Sequence, residues 1–517
     1  MKRRTLLHAG LLTAGVGVAG AGWPAAQLAL GPAEPGKLLR SQVPLPPLYR
    51  TRLPIPIRLA PVAIDAASDY YEITQCAADL PILPGLTTHA WTYGGTFPGP
   101  TIVSRSGRRT VIRHHNALPV PVAVHLHGGH TPPDSDGYPL DLIDPQGPKV
   151  TPGDGGMAAG MSRNSVVGQR EYVYPMKQRA ATLWYHDHRM GYTGQAVWRG
   201  LAGFHLVHDD EELALPLPKG DRDIALMITD RSFAADGSFQ YPLADGGEVA
   251  APYMNGVLGD VVLVNGAPWP VLDTDPARYR FRVLNASNAR RYRLRLDPPP
   301  PEGPPFTQIG SDGGLLSSPI THDAIDIAPA ERFDVVVDFS RYRRGTRVRL
   351  VNTLGAQSTT EVMRFDVLGT DRSDESSIPE RLSESVAPLD RRRATTTRTF
   401  LFGQGRAGVW TINNKPYKPY KPGTPVATPR IGDVEVWRFI TDIRHPIHVH
   451  LNPFQVLSRN NKPPGRFDHG WKDTVDVAPA EAVEVIVRFT DYRGTYLVHC
   501  HNLEHEDMAM MADFVTV

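Results

Sequence analysis

Four short segments of this 517-residue chain concentrate the side chains that bind transition metals. They are His125-X-His127, His186-X-His188, His445-X-X-His448-X-His450, and His499-Cys500-His501 followed by His505 and Met510. Together they hold ten of the 19 histidines. In an extended strand the side chains at i and i+2 leave the same face, so each His-X-His pair aims two imidazoles at one point. Imidazole suits copper, zinc, iron and nickel. A single such pair is ordinary strand surface. Four pairs bring eight imidazoles that gain nothing from crowding unless a metal offsets the cost of burying them.

Parity divides the last segment. Cys500 leaves the strand on the face opposite His499 and His501, so one strand serves two sites. His445 lies an odd step before His448, which puts it on the other face of an extended strand, with Pro446 able to perturb the count. His505 and a methionine follow Cys500 in one short loop. Two imidazoles, a thiolate and a thioether make the His₂Cys plus weak axial Met set of a blue copper electron-transfer site, a set that zinc rarely uses. Met508, Met510 and Met511 are all close enough in sequence to supply the thioether.

The elements that position these groups read as strands. Gly and Pro number 47 and 49, and apolar runs are short, alternating and broken by turns, which favours an all-β architecture. The length calls for two to four domains. Residues 329–342 match residues 479–492 at an offset of 150, each an alternating strand after Pro-Ala-Glu. A looser echo joins the strands at residues 111–117, 279–286 and 436–442. Three copies imply three similar β-sandwich domains. The expected divisions are a signal segment at 1–30, a Pro-rich strap at 31–61, domains at 62–212 and 213–370, a polar linker at 371–397, and a last domain at 398–517.

Lysine plus arginine (55) nearly balances aspartate plus glutamate (54), so no global field points to a nucleic-acid partner. Arg3 and Arg4 precede a small, apolar stretch, the pattern of a twin-arginine export signal handled by the bacterial translocation machinery. The expectation is a periplasmic or extracellular protein with no stable membrane insertion after export. Only Cys76 and Cys500 are present, so a metal-bound Cys500 leaves no disulfide. His130, His114 and His115 are read as ordinary residues, because adjacent residues on a strand face opposite ways.

The four segments resemble the copper motifs of the multicopper oxidases, and the similarity runs from about Asp69 to the C-terminus through residues 94–102, 264–269 and 310–316. Within that family the chain is most similar to the spore-coat laccase, bilirubin oxidase and phenoxazinone synthase group. The resemblance implies three cupredoxin-like Greek-key sandwiches and four copper ions, with a trinuclear cluster between domains 1 and 3. It assigns His445, Cys500, His505 and Met510 to type 1 copper, and His125 and His448 to type 2. The type 3 pair receives His127, His186, His188, His450, His499 and His501. It further implies one-electron oxidation of a phenolic, aminophenolic or bilirubin-like reductant, with an electron arriving at the exposed edge of His505 and passing through Cys500. Dioxygen is the acceptor, and Asp136 and Glu506 supply protons. A cuprous oxidase, for which Met157 and Met161 offer a small Cu(I) dock, is the alternative enzyme. A copper-free exported scaffold is the alternative of another class, and the complete ligand set disfavours it.

Overall fold

The computed structural model describes residues 36–147, 163–245, 247–369, 373–405, 408–417 and 425–517. The segment read as an export signal lies outside the described residues, as do Met157 and Met161. The fold is strand-dominated, and the repeat read from sequence is visible in its pairing. Ser68–Leu80 lies parallel to Arg109–Asn116, which runs antiparallel to Gln169–Tyr174. Asp223–Arg231, Arg278–Asn285 and Arg332–Asp338 repeat that arrangement, and so do Ala394–Gln404, Val434–Thr441 and Ala482–Arg488.

The 150-residue echo has a hydrogen-bond explanation. Ala330 and Ala480 both take positive φ, at 71° and 55°. In each copy the following glutamate turns back: Glu331 Oε2 accepts from the Ala328 amide and Glu481 Oε2 from the Ala478 amide, both at 2.8 Å. Pro-Ala-Glu therefore builds one turn twice. The looser echo behaves likewise in the first two copies. Asn116 bonds the Val120 and Ile143 carbonyls, while Asn285 bonds those of Arg290 and Ile327. These side chains satisfy backbone groups where a strand leaves its sheet.

A second sheet completes each sandwich. In the first it is ordered Gly99–Arg105, Ala202–His208, Ala181–Asp187, Val124–His127; in the third, Thr474–Val477, His445–Val449, Gly494–Cys500, Met511–Thr516. Each sandwich encloses its own apolar core, with Ile73, Ile112 and Tyr185 in the first, Phe281, Val335 and Phe365 in the middle one, and Phe439, Val485 and Phe514 in the third. The strap crosses the middle sandwich, where Lys37–Leu38 pairs with Val257–Leu258, and reaches the first at the Arg58–Thr101 bridge. The first strand of the third sandwich starts at Ala394, inside the stretch expected to be linker, because residues 394–397 already pair with the Val434–Thr441 strand. Among the described residues, no helix is long and apolar enough to cross a membrane.

One glycine ties this frame to the histidines. Gly137 has φ +76°, and a Cβ there would stand 2.1 Å from the Val124 carbonyl oxygen and 2.6 Å from His125 Cα. Both are backbone atoms of the strand that carries His125, so they cannot swing aside. Gly137→Ala should lower the Tm by roughly 5 °C or more in calorimetry; an unchanged Tm would show that the turn relaxes freely.

Candidate metal centre

Two strand pairs supply the imidazoles. Val124–His127 pairs antiparallel with Ala181–Asp187, setting His125 opposite His186. His445–Val449 pairs antiparallel with Gly494–Cys500, setting His448 opposite His499. Directly opposed residues share a face, so each pair of strands presents its histidines together. The two groups then meet across the first and third sandwiches. The His125 ring stacks on His450 at 4.0 Å and the His127 ring on His448 at 3.7 Å between centroids. Among the described residues, three all-histidine sets arise here whose ligand atoms lie within 4.8 Å of one another: His125, His127, His448; His127, His186, His501; and His188, His450, His499.

The hydrogen bonds show what this nest fits. His125 Nδ1 donates to the Asp136 carbonyl at 2.5 Å, His186 Nδ1 to that of Asp187 at 2.8 Å, and His448 Nδ1 to that of Asp473 at 2.9 Å. His450 Nδ1 bonds the Asp136 carboxylate at 2.7 Å, and His499 Nδ1 bonds the Cys500 carbonyl at 3.1 Å. Only His127 is reversed, with Nε2 on the Asp473 carboxylate at 3.0 Å. The inward nitrogens are left as lone pairs. His125 Nε2, His127 Nδ1, His186 Nε2, His188 Nε2 and His448 Nε2 are buried without a protein partner. His450 Nε2 and His499 Nε2 face each other at 3.1 Å. Lone pairs pointed at one another in a dry interior repel, and a cation between them removes the penalty. Burial, reinforced by neighbouring imidazoles, holds His125, His127, His448, His450 and His501 well below the usual imidazole range and His186 down at about 3. Those rings are therefore neutral, the form that ligates.

On the other face of the Cys500 strand lies a separate set. His445 Nδ1 and His505 Nδ1 approach Cys500 Sγ at 3.3 and 3.7 Å and each other at 3.0 Å. His445 Nε2 is tied to Asp442 Oδ1 at 3.1 Å, which again leaves Nδ1 as a lone pair. Burial raises the Cys500 thiol far above its ordinary range, so the sulfur becomes a thiolate only when a cation arrives. Strand register separates the three methionines. Met511 pairs with His499 and packs beside Tyr138 and Met190, away from the sulfur. Met510 belongs to the same buried apolar cluster as Cys500, and its carbonyl accepts from the Cys500 amide at 3.1 Å; Met508 lies at that cluster's margin.

Comparison with known proteins agrees with this chemistry. The multicopper oxidase family profiles match residues 77–152, 153–212 and 390–517. A laccase of Bacillus stratosphericus is 36% identical, covering 89% of this chain and 97% of its own length. A bilirubin oxidase of Albifimbria verrucaria is 34% identical, covering 91% and 80%. The crystal structure of a laccase from Pediococcus acidilactici superposes with a TM-score of 0.78 at 31% identity, covering 93% of this chain and 96% of the other. This chain belongs to the multicopper oxidases. It is thus an oxidoreductase that uses copper, and its sandwiches are cupredoxin-like.

One expectation for this oxidase needs adjustment. His505 has no exposed edge: it is fully buried, with the Trp410 ring tilted over it at 3.9 Å. Trp410 is held there by its indole N–H donating to the Met254 carbonyl at 3.2 Å. The cover comes from an upstream strand of the third sandwich and its anchor from the segment at Met254, so nothing near His505 in sequence announces it. Glu506 is buried between His188 Nδ1 at 3.3 Å and His499 Nδ1 at 3.2 Å. Burial opposes its charge, but His188 and His499 outweigh that and hold the carboxyl well below the ordinary range. Asp136 behaves oppositely, pushed up to about 7 by burial that His188 and His499 only partly offset.

Sequence reasoning missed Asp473, Asp442 and Trp410. Asp442, three residues before His445, was within reach of a spacing argument; Asp473 reaches His127 across 346 residues and Trp410 stands far upstream of His505, and neither carried a local signal. Removing copper leaves the lone pairs confronting one another. The metal-free protein should melt about 10 °C below the copper-loaded one, and equal calorimetric Tm values would show that the nest needs no cation.

Proposed function

We propose that this oxidase removes single electrons from small aromatic reductants and passes four of them to dioxygen, forming water, with four copper ions bound per chain. His445, Cys500, His505 and Met510 would hold type 1 copper, and His125 and His448 type 2. His127, His186 and His501 would hold one type 3 ion, and His188, His450 and His499 the other. When bound, copper supplies the one-electron chemistry on one side and the reduction of dioxygen on the other.

The observation that carries this reading is the Gly494–Cys500 strand, whose Cys500 side chain joins one ligand set while the flanking His499 and His501 join the other. Covalent bonds therefore link the two sets, and we assign that path to the electron. Burial of His505 makes the intake indirect. A cavity of about 150 Å³ is lined among others by Tyr241, Val249, Met254, Val409, Asp507 and Met508. Its size and apolar wall suit one aromatic ring, phenolic or aminophenolic. Met254 and Val409 flank Trp410, which bridges from that wall to His505. Glu506, ionised and placed against His188 and His499, is the group we assign to accept protons and relay them to the nest, and Asp136 beside His450, which can hold a proton near neutrality, is the second. Export by the twin-arginine route and domains at 62–212, 213–370 and, with its first strand included, 394–517 belong to the same proposal.

Copper analysis after reconstitution should give four ions per chain, and a protein that takes up none would defeat the reading. Oxygen uptake measured with 2,6-dimethoxyphenol, o-aminophenol, bilirubin and Cu(I) ranks the reductants, with the phenols expected first and a Cu(I)-only response assigning a cuprous oxidase instead. Glu506→Gln should keep the blue thiolate absorption while slowing oxygen reduction roughly 100-fold; wild-type uptake would remove Glu506 from proton delivery.

A further inference from the structure

Where the three sandwiches meet, five buried charged side chains form one cluster: Asp312, Glu331, Arg332, Lys472 and Asp473. Arg332, from the middle sandwich, grips both oxygens of Asp473 in the third, with Nη1 donating to Oδ1 at 2.7 Å and Nη2 to Oδ2. Its remaining donors go to the carbonyls of Thr182 at 2.9 Å, Ala330 at 2.9 Å and Asp312 at 3.2 Å. Lys472 Nζ lies 3.0 Å from Asp312 Oδ2 and 3.1 Å from Glu331 Oε1. A buried array of this kind is costly unless every member is paired, and its specific gain is geometric definition.

What it defines is Asp473, and Asp473 touches two rings of the nest. Its carboxylate takes His127 Nε2 at 3.0 Å, and its carbonyl takes His448 Nδ1 at 2.9 Å. A carboxylate gripped by a guanidinium on both oxygens is an acceptor only. His127 must therefore carry its proton on Nε2 and turn Nδ1 inward, the reverse of His125, His186, His448, His450 and His499. Gly128 makes room for this arrangement. At φ +85°, its position would place a Cβ 2.7 Å from Arg332 Nη2 and 2.9 Å from Asp473 Oδ2.

We propose that Arg332 and Asp473 are positioning residues that lock the tautomer and orientation of His127, so that a middle-sandwich arginine and a third-sandwich aspartate set which nitrogen a first-sandwich histidine offers to copper. This rests on the reading that the nest binds copper. His127 stands in two of the three ligand sets, so its loss should damage the nest and spare the set at Cys500.

The test uses Asp473→Ala, Asp473→Asn and Arg332→Gln in the full-length, copper-reconstituted protein, alongside nitrogen NMR of the metal-free forms. In wild type, His127 should show the Nε2–H tautomer, and in Asp473→Ala a mixture. Asp473→Ala should retain the blue absorption, lose copper to a Cu(I) chelator about 10–100-fold more readily, and show EPR signal from type 3 ions that are silent in wild type. Asp473→Asn keeps an oxygen acceptor for His127 and should recover part of the chelator resistance; if Asp473→Ala does not fold, this variant and Arg332→Gln carry the test. Wild-type chelator resistance and EPR in all three variants would overturn the proposal. So would loss of the blue band in step with the other signals, which marks a general structural prop. A wild-type protein that binds no copper overturns the underlying reading instead.

Discussion

Eight imidazoles aimed inward from two sandwiches are the constraint on which the rest of this structure depends. Each ring of the nest whose outer nitrogen bonds a protein oxygen has its inner nitrogen fixed as a lone pair, and the inner nitrogens converge. In a dry interior such convergence is unfavourable by about 1–3 kcal/mol for every buried polar group left unmatched. The outer shell of carbonyls and carboxylates cannot relieve this, because it is what forces the lone pairs inward. A metal ion can. The surrounding frame keeps the rings from turning away: antiparallel pairing opposes His125 to His186 and His448 to His499, and ring stacking joins the two sandwiches.

The pleat of a β-strand divides the labour. Because successive side chains alternate, Gly494–Cys500 needs no insertion or bend to feed two ligand sets with different donors. The sulfur is in an apolar surround beside Met510, while the imidazoles on the other face are in a polar shell with Glu506. Donor type and environment thus change together over the width of one backbone, which suits a one-electron centre on one side and a proton-consuming centre on the other.

Much of this was legible in the sequence, for local reasons. Strand parity placed Cys500 apart from His499 and His501, and the match of residues 329–342 to 479–492 announced the repeat before any strand pairing was known. Spacing could not choose among Met508, Met510 and Met511, since the choice depends on how Met511 registers with His499. The cover over His505 and the grip of Arg332 on Asp473 were not legible at all. The grip arises when sandwiches dock, and the cover is a tryptophan from an upstream strand anchored across that junction on Met254; docking surfaces carry no periodicity of their own. Glu506 sat in plain view next to His505, yet its burial, which decides its chemistry, depends on His188 from the first sandwich.

The nest is shared between the first and third sandwiches, and this bears on how the protein is made. A chain still being synthesised that has His125, His127, His186 and His188 holds no set of three ligands among the described residues, because each such set draws on the third sandwich. Metal capture thus reports that synthesis has reached His501 and that the outer sandwiches have found each other. For a cell handling a toxic ion, that ordering keeps half-made chains from sequestering it and ties acquisition of the cofactor to completion of the fold.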